Sequence, residues 1–138
     1  MGFLFNIYLM RYLQNWRLFL ESVNDWQIVR ADEDSRNFKP SFKNKNNDTE
    51  FYQVLDQNGE VLSEIEVDET NPEILSIYSF SKGQGVGKYL VDYIKSKFKE
   101  QGYDSIKVWA TTKSRPFWVK MGAVEIDNDD IYRMEIKL

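Results

Sequence analysis

Near the start of the chain, apolar residues recur at spacings of four and three: Phe5, Leu9, Tyr12, Trp16, Phe19, Val23 and Trp26. That is the stripe of an amphipathic helix. Leu4, Tyr8, Leu13, Leu18 and Leu20 widen the stripe well beyond a narrow seam. A helix over residues 1–26 is therefore expected to pack on the rest of the chain or on a second copy of it, as a homodimer contact. An interfacial membrane helix is the competing reading, weakened by the few lysines on the polar side. Gln27 to Ala31 has the composition of a short strand. Asp32 to Glu50 is polar, contains Pro40 and an Asn/Lys cluster, and reads as a loop with at most a helical turn.

From Phe51 onward the period changes. Phe51–Leu55 and Glu60–Asp68 flank Asp56-Gln57-Asn58-Gly59, and the Asn-Gly pair predicts a β-hairpin. Glu64, Glu66 and Asp68 alternate with Ile65 and Val67, so the acids share one face of the second strand. Asn71-Pro72 marks a turn, and Glu73–Phe80 is the next strand, with Leu75 and Ile77 expected on one face. Leu90, Val91, Ile94 and Phe98 fall on one side of a helix over Tyr89–Glu100, which Gly102 ends. Ser105–Ala110 is a further strand. Ser114 is the expected cap of a helix with Pro116 in its first turn, ending near Met121-Gly122. Ile131–Leu138 is the last strand. A hairpin followed by strand–helix–strand–helix–strand indicates α/β architecture around a mixed sheet, with an N-terminal helix (1–26) and one domain (27–138).

Composition narrows the chemistry. The 138 residues are 42% hydrophobic and 15% aromatic, enough for one domain with a core. The net charge of −4 argues against a general nucleic-acid binder. The chain has neither Cys nor His, which removes disulfides, thiolate nucleophiles, histidine bases and the usual zinc ligand sets; no metal is expected. The apolar start has no basic n-region, and Arg11, Gln14, Asn15 and Arg17 interrupt it before it spans a bilayer, so the expected location is cytoplasmic.

The sharpest chemical signal is Lys82-Gly83-Gln84-Gly85-Val86-Gly87-Lys88, set between a strand and a helix. Alternate glycines leave peptide N–H groups bare at the helix start, where the helix dipole also favours an anion. A phosphorylated ligand follows. A nucleotide P-loop needs four residues between its first glycine and Gly-Lys, then Ser or Thr; from Gly83 there are three, and Tyr89 follows. A dinucleotide fingerprint would need glycine where Leu90 stands. A kinase glycine loop joins two strands rather than a strand and a helix.

The same stretch resembles the Arg/Gln-x-x-Gly-x-Gly/Ala signature of the GNAT superfamily of acyl-CoA N-acyltransferases, with Lys82 in place of Arg or Gln. Leu75-Ser76-Ile77 resembles that family's fourth strand, and Arg115-Pro116-Phe117-Trp118-Val119-Lys120-Met121-Gly122-Ala123 resembles its aromatic-x-Lys-x-Gly-Phe segment. The resemblance covers about Gln27 to Leu138. It implies a GNAT-like fold: a central mixed, mostly antiparallel sheet with two splayed parallel strands, flanked by helices. It implies acetyl-CoA as acyl donor, held by main-chain groups at Ile77, Tyr78 and Ser79 and by Lys82, Gly83, Gln84, Gly85, Val86, Gly87 and Lys88. Side chains at 83, 85 or 87 would be expected to hold the diphosphate off the amides. Lys113 and Arg115 are further cations for the CoA phosphates.

The implied reaction is direct attack of a primary amine on the thioester, which needs a base and a hydrogen-bond donor. Base candidates are Glu64, Glu66, Asp68 and Glu73, with Glu66 first; the alternative is that these acids form a solvated sheet face. Where the family often carries a tyrosine acid this chain has Trp118, whose indole donates a hydrogen bond but no proton, so Trp118 is expected as a wall of the thioester pocket. Tyr78 and Tyr89 are the tyrosines nearest the implied site, and Tyr78 is the catalytic candidate. Residues 32–50 are either a connector or part of the acceptor wall. Two other functions remain open: a non-catalytic GNAT-fold module that binds CoA or a protein, and a toxin acetylating aminoacyl-tRNA, which the acidic balance disfavours.

Overall fold

The computed structural model describes residues 25–32, 36–37, 49–80, 83–126 and 132–138. Residues 1–24 of the expected N-terminal helix, its dimer contact, Lys82 and most of the 32–50 connector lie outside the described residues; Asp25 and Trp26 are not helical, and Thr49 and Glu50, expected in the connector, belong to a strand.

Among the described residues, seven strands form one sheet in the order β1-β2-β3-β4-β5-β7-β6. β1 is Gln27–Ala31, β2 Thr49–Leu55, β3 Val61–Asp68, β4 Glu73–Ser79, β5 Ser105–Trp109, β6 Val124–Glu125 and β7 Arg133–Lys137. β1 to β4 run antiparallel, as do β5, β7 and β6; only β4 and β5 are parallel. This is the mixed, mostly antiparallel order that the resemblance implies. β6 was not expected from its two residues.

The hairpin turn is wider than Asn-Gly alone suggests. Gly59 N–H donates to the Asp56 carbonyl at 3.0 Å, and the Asp56 carboxylate accepts from the N–H groups of Asn58 and Glu60. A short acidic side chain thus closes the loop from inside.

Helix α1 (Val86–Glu100) crosses between β4 and β5. It starts earlier than Tyr89 because Val86 already belongs to its apolar face. Val86, Leu90, Val91, Ile94 and Phe98 are buried against Tyr52, Val54, Ile65, Val67, Ile74, Ile106 and Val108. The burial of so many branched side chains on one sheet face is the main stabilising term. The helix ends as expected at Gly102, with Gly102 N–H on the Lys99 carbonyl, Tyr103 N–H on the Phe98 carbonyl, and the Phe98 and Tyr103 rings in edge contact.

Helix α2 (Arg115–Lys120) adds Trp118 to the same core. Its cap differs from expectation. The Ser114 hydroxyl makes no cap bond to the helix; it accepts from Thr111 N–H, while Thr111 Oγ1 accepts from Ser114 N–H and the Thr111 carbonyl accepts from Arg115 N–H. Thr111 therefore starts the turn, three residues upstream.

Candidate functional site

The parallel pairing of β4 and β5 is brief. Glu73 lies opposite Lys107 and Ile74 opposite Val108, and there the ladder stops. A bulge in β4 explains the parting. Against β3, Val67 pairs with Ile74 but Glu66 pairs with Ser76, leaving Leu75 as the extra residue. A bulge bends its strand and resets which side chains face which way. Hence Ile74 and Ile77 join the core and Leu75 turns to the opening, correcting the expectation that Leu75 and Ile77 share a face. Ser63 Oγ donates to the Tyr78 carbonyl, and Phe80 N–H to the Leu62 carbonyl, so the far half of β4 stays with β3.

The gap between the strands is a cleft of about 350 Å³ lined by Leu75, Ser76, Ile77 and Tyr78 on one side and Trp109, Thr111, Lys113, Ser114 and Trp118 on the other. A second hollow, of about 520 Å³, is lined by Ser79, Gly83, Gly85, Val86, Gly87, Lys88, Phe117, Lys120 and Met121. Adjacent residues, Tyr78 with Ser79 and Phe117 with Trp118, line the two.

The glycine turn forms the floor of the second hollow. Gly83 has φ +81° and Gly85, the residue capping α1, has φ +74°. That left-handed backbone strains any residue with a Cβ. No side chain caps α1, and its first turn carries no acid. The first-turn amides and the positive end of the dipole are thus left for an anion. A Cβ built at Gly83 or Gly85 meets nothing within 4 Å, whereas one at Gly87 would stand 3.4 Å from the Phe117 ring. The three glycines therefore differ: two serve the backbone, whereas a methyl at the third would only touch the Phe117 ring at ordinary contact distance. Lys88 pairs with Asp92 at 2.7 Å, and Arg115 with Glu125. Lys120 and Phe117, absent from the sequence-based site, line the hollow because α2 packs on Gly87; only the spacing of the 115–123 segment hinted at them.

The four acids are not a solvated face. Glu64 and Glu66 are 0% exposed, and Asp68 and Glu73 are nearly as buried. Cross-strand pairing sets Thr49, Phe51 and Gln53 beside Asp68, Glu66 and Glu64. Glu64 accepts from the N–H and side chain of Asn37 and from Gln53. Asp68 accepts from Thr70 and from the N–H of Asn71, closing the β3–β4 turn. Glu73 accepts from the Trp109 indole. Glu66 accepts from Thr49 Oγ1 at 2.8 Å, and its strand partner is Ser76. The Ser76 hydroxyl is enclosed and finds no hydrogen-bond partner among the described residues.

Tyr78 is 49% exposed at the cleft, while Trp118 is 1% exposed and walls it from the core side. Tyr89 packs edge-on against Trp26 and does not line the cleft.

The sequence matches a family model described as an acetyltransferase (GNAT) domain over residues 27–138. No curated protein sequence matches. Among solved structures, the chain is similar to a GCN5-related N-acetyltransferase from Rhodopseudomonas palustris (18% identity, TM-score 0.59, covering 70% of this chain and 66% of that one). It is also similar to a GNAT-family acetyltransferase from Staphylococcus aureus Mu50 (13%, 0.62, 82% and 99%). A third likeness is to a mutant of the toxin AtaT bound to acetyl-CoA and the C-terminus of the antitoxin AtaR (14%, 0.58, 82% and 93%). At these identities the structural likenesses speak for the fold alone.

Proposed function

Because this chain belongs to the GNAT acetyltransferase family, whose domain it carries over residues 27–138, we propose that it transfers an acetyl group from acetyl-CoA to a primary amine by direct attack in a ternary complex. The observation that carries this reading is an uncapped, acid-free helix start whose hollow is lined by neighbours in sequence of residues lining the cleft between the parting parallel strands. The diphosphate would take the amides from Gly83 to Lys88, including Gln84 and Val86, with Lys120 lining the same hollow and Lys82 a cation candidate from the sequence. The pantetheine arm would follow Ser79, Tyr78 and Ile77, bringing the thioester beside Ser76 and Trp109.

The amine must lose its proton before it attacks, and the departing thiolate must be stabilised. Glu64, Asp68 and Glu73 already hold a loop, a turn and an indole. Glu66, held by Thr49 Oγ1, is the base candidate, acting through water, since it is buried and its strand partner Ser76, whose hydroxyl has no partner among the described residues, lines the cleft. Tyr78, at the cleft mouth, is the donor candidate toward the sulfur. Trp118 walls the pocket and supplies no proton.

Among the described residues no helix is long and apolar enough to cross a membrane; a cytoplasmic location is proposed from the sequence. The test is calorimetric titration with acetyl-CoA followed by turnover against a panel of primary amines. Binding with acetyl transfer supports the reading. Binding without transfer to any amine favours a non-catalytic CoA-binding module. Absence of binding overturns both.

A further inference from the structure

We propose that Trp109 sets the acyl length this site accepts, closing the apex of the cleft as a fixed wall that leaves room for a short acyl group. The inference rests on the acyl-CoA reading above and adds which donors the site takes.

The register places the residue. The last β4–β5 pair is Ile74 with Val108. Trp109 is the next residue of β5, so it stands where the strands begin to part, at the closed end of the cleft. Ile106 and Val108 face the core, and alternation turns Trp109 to the opposite face, toward Glu73 and Ser76 rather than α1. An acyl group carried beyond the sulfur along β4 meets the indole there.

The wall is held at its edge and on its face. Glu73 lies opposite Lys107, so Trp109, two residues on, reaches the same face diagonally, and its Nε1–H donates to the Glu73 carboxylate. Glu73 is buried, so swinging the indole away would strip a donor from an enclosed carboxylate. On the other side, β7 sets Arg133 opposite Trp109, with the guanidinium 5.1 Å from the ring centroid. A ring anchored in this way does not yield to a longer chain as a free leucine or methionine would.

The test is calorimetric binding of free CoA, acetyl-CoA, butyryl-CoA and hexanoyl-CoA to wild type, Trp109→Leu, Trp109→Ala and Glu73→Ala, which needs no acceptor. Wild type should bind acetyl-CoA tightest of the acyl forms and lose affinity as the chain lengthens. Trp109→Ala should bind hexanoyl-CoA tighter than wild type by about tenfold, the worth of housing about two methylenes, with free CoA unchanged. Trp109→Leu should shift preference in the same direction but less. Glu73→Ala, which frees the indole without removing it, should relax the preference partly. Wild type that binds hexanoyl-CoA as well as acetyl-CoA overturns the proposal whatever the variants do. So does a chain-length order unchanged by every substitution, and in that case the acyl-CoA reading survives. Failure of wild type to bind any CoA species overturns both.

Discussion

Gly87 and Phe117 meet where the start of α1 touches α2: a Cβ at Gly87 would sit 3.4 Å from Phe117 Cε2 and 3.9 Å from Ile77 Cδ1. The contact is ordinary for one methyl group and too close for a branched one. Alanine at 87 should leave stability unchanged or raise it by up to about 1 kcal/mol, the helix-propensity gap from glycine. Gly87→Val should cost about 1–3 kcal/mol by overpacking and weaken acetyl-CoA binding, because the displaced Phe117 ring lines the second hollow, where the diphosphate is proposed to sit. Urea midpoints and calorimetry check both. Adding Phe117→Leu to Gly87→Val should restore stability; no restoration would remove this contact as the cause.

Gly85 answers to a different constraint. Its φ of +74° lies in the left-handed region, and a Cβ there meets nothing within 4 Å. Gly85→Ala should therefore lose about 1–2 kcal/mol through the backbone alone. Acetyl-CoA affinity should fall with it, since the turn presents the amides. A second-site reduction of a neighbouring side chain should not rescue this variant, in contrast to Gly87→Val. Equal stability of Gly85→Ala and wild type would contradict the argument.

These two glycines also show how far the sequence could be read. The glycine run at a strand-to-helix junction was legible as a tight turn with an uncapped helix start, which the positive φ of Gly83 and Gly85 and the bare first turn of α1 bear out. It could not say which glycine serves the backbone and which serves packing, since that depends on Phe117, thirty residues on. Strand and helix order followed from period changes and survived almost intact. The Leu75 bulge did not, because a one-residue slip against β3 leaves no mark in alternation. The acids of β3 read as a polar face because alternation reports a face, not what lies over it. Their burial became visible only with Asn37, Thr49 and Gln53 in place. That Trp118 lines the cleft accords with its place in the 115–123 segment; that Trp109 lines it left no mark in the sequence, because its partners Glu73 and Arg133 come from two other strands.

Glu66→Gln separates catalysis from structure at the buried acids. Glutamine keeps an oxygen for Thr49 Oγ1 and removes the proposed base, and a urea midpoint measured alongside separates loss of fold from loss of chemistry. At neutral pH kcat should fall by about a hundredfold, with acetyl-CoA affinity unchanged. The deficit should narrow as pH rises, because a larger share of the acceptor amine is then already neutral. Glu64→Gln should instead lower stability, by about 1–3 kcal/mol, as Asn37 and Gln53 lose a charged acceptor. A pH–rate profile for Glu66→Gln that overlays wild type would exclude Glu66 as the base.

On the helix side of the sheet, a polar knot ties β1, β2, the β3–β4 turn and α1 together, and it predicts a pH signature of stability. The Tyr52 hydroxyl donates to Glu69 and accepts from Arg30 and Lys97, and Lys97 Nζ reaches Glu69 at 2.8 Å. Burial pushes the Glu69 carboxyl up, but hydrogen bonds from Lys97 and Tyr52 outweigh it and hold the group below the ordinary 4.5. Burial pulls Lys97 down, and its bonds to Glu69 and Tyr52 outweigh that too, holding it above 10.5. A lowered carboxyl adds stability that is present above 4.5 and lost as pH falls through its folded value; a raised ammonium adds stability present below 10.5 and lost as pH rises through its folded value. Glu69→Gln should therefore flatten the acid limb of a melting-temperature profile and leave neutral stability reduced. Lys97→Met should flatten the alkaline limb. Tyr52→Phe should cost about 1–2 kcal/mol at neutral pH by leaving both charges without the bridging hydroxyl, and acetyl-CoA affinity should not change, because Tyr52 lines neither the cleft nor the second hollow. Profiles for Glu69→Gln that keep the full wild-type acid limb would show that Glu69 does not carry it.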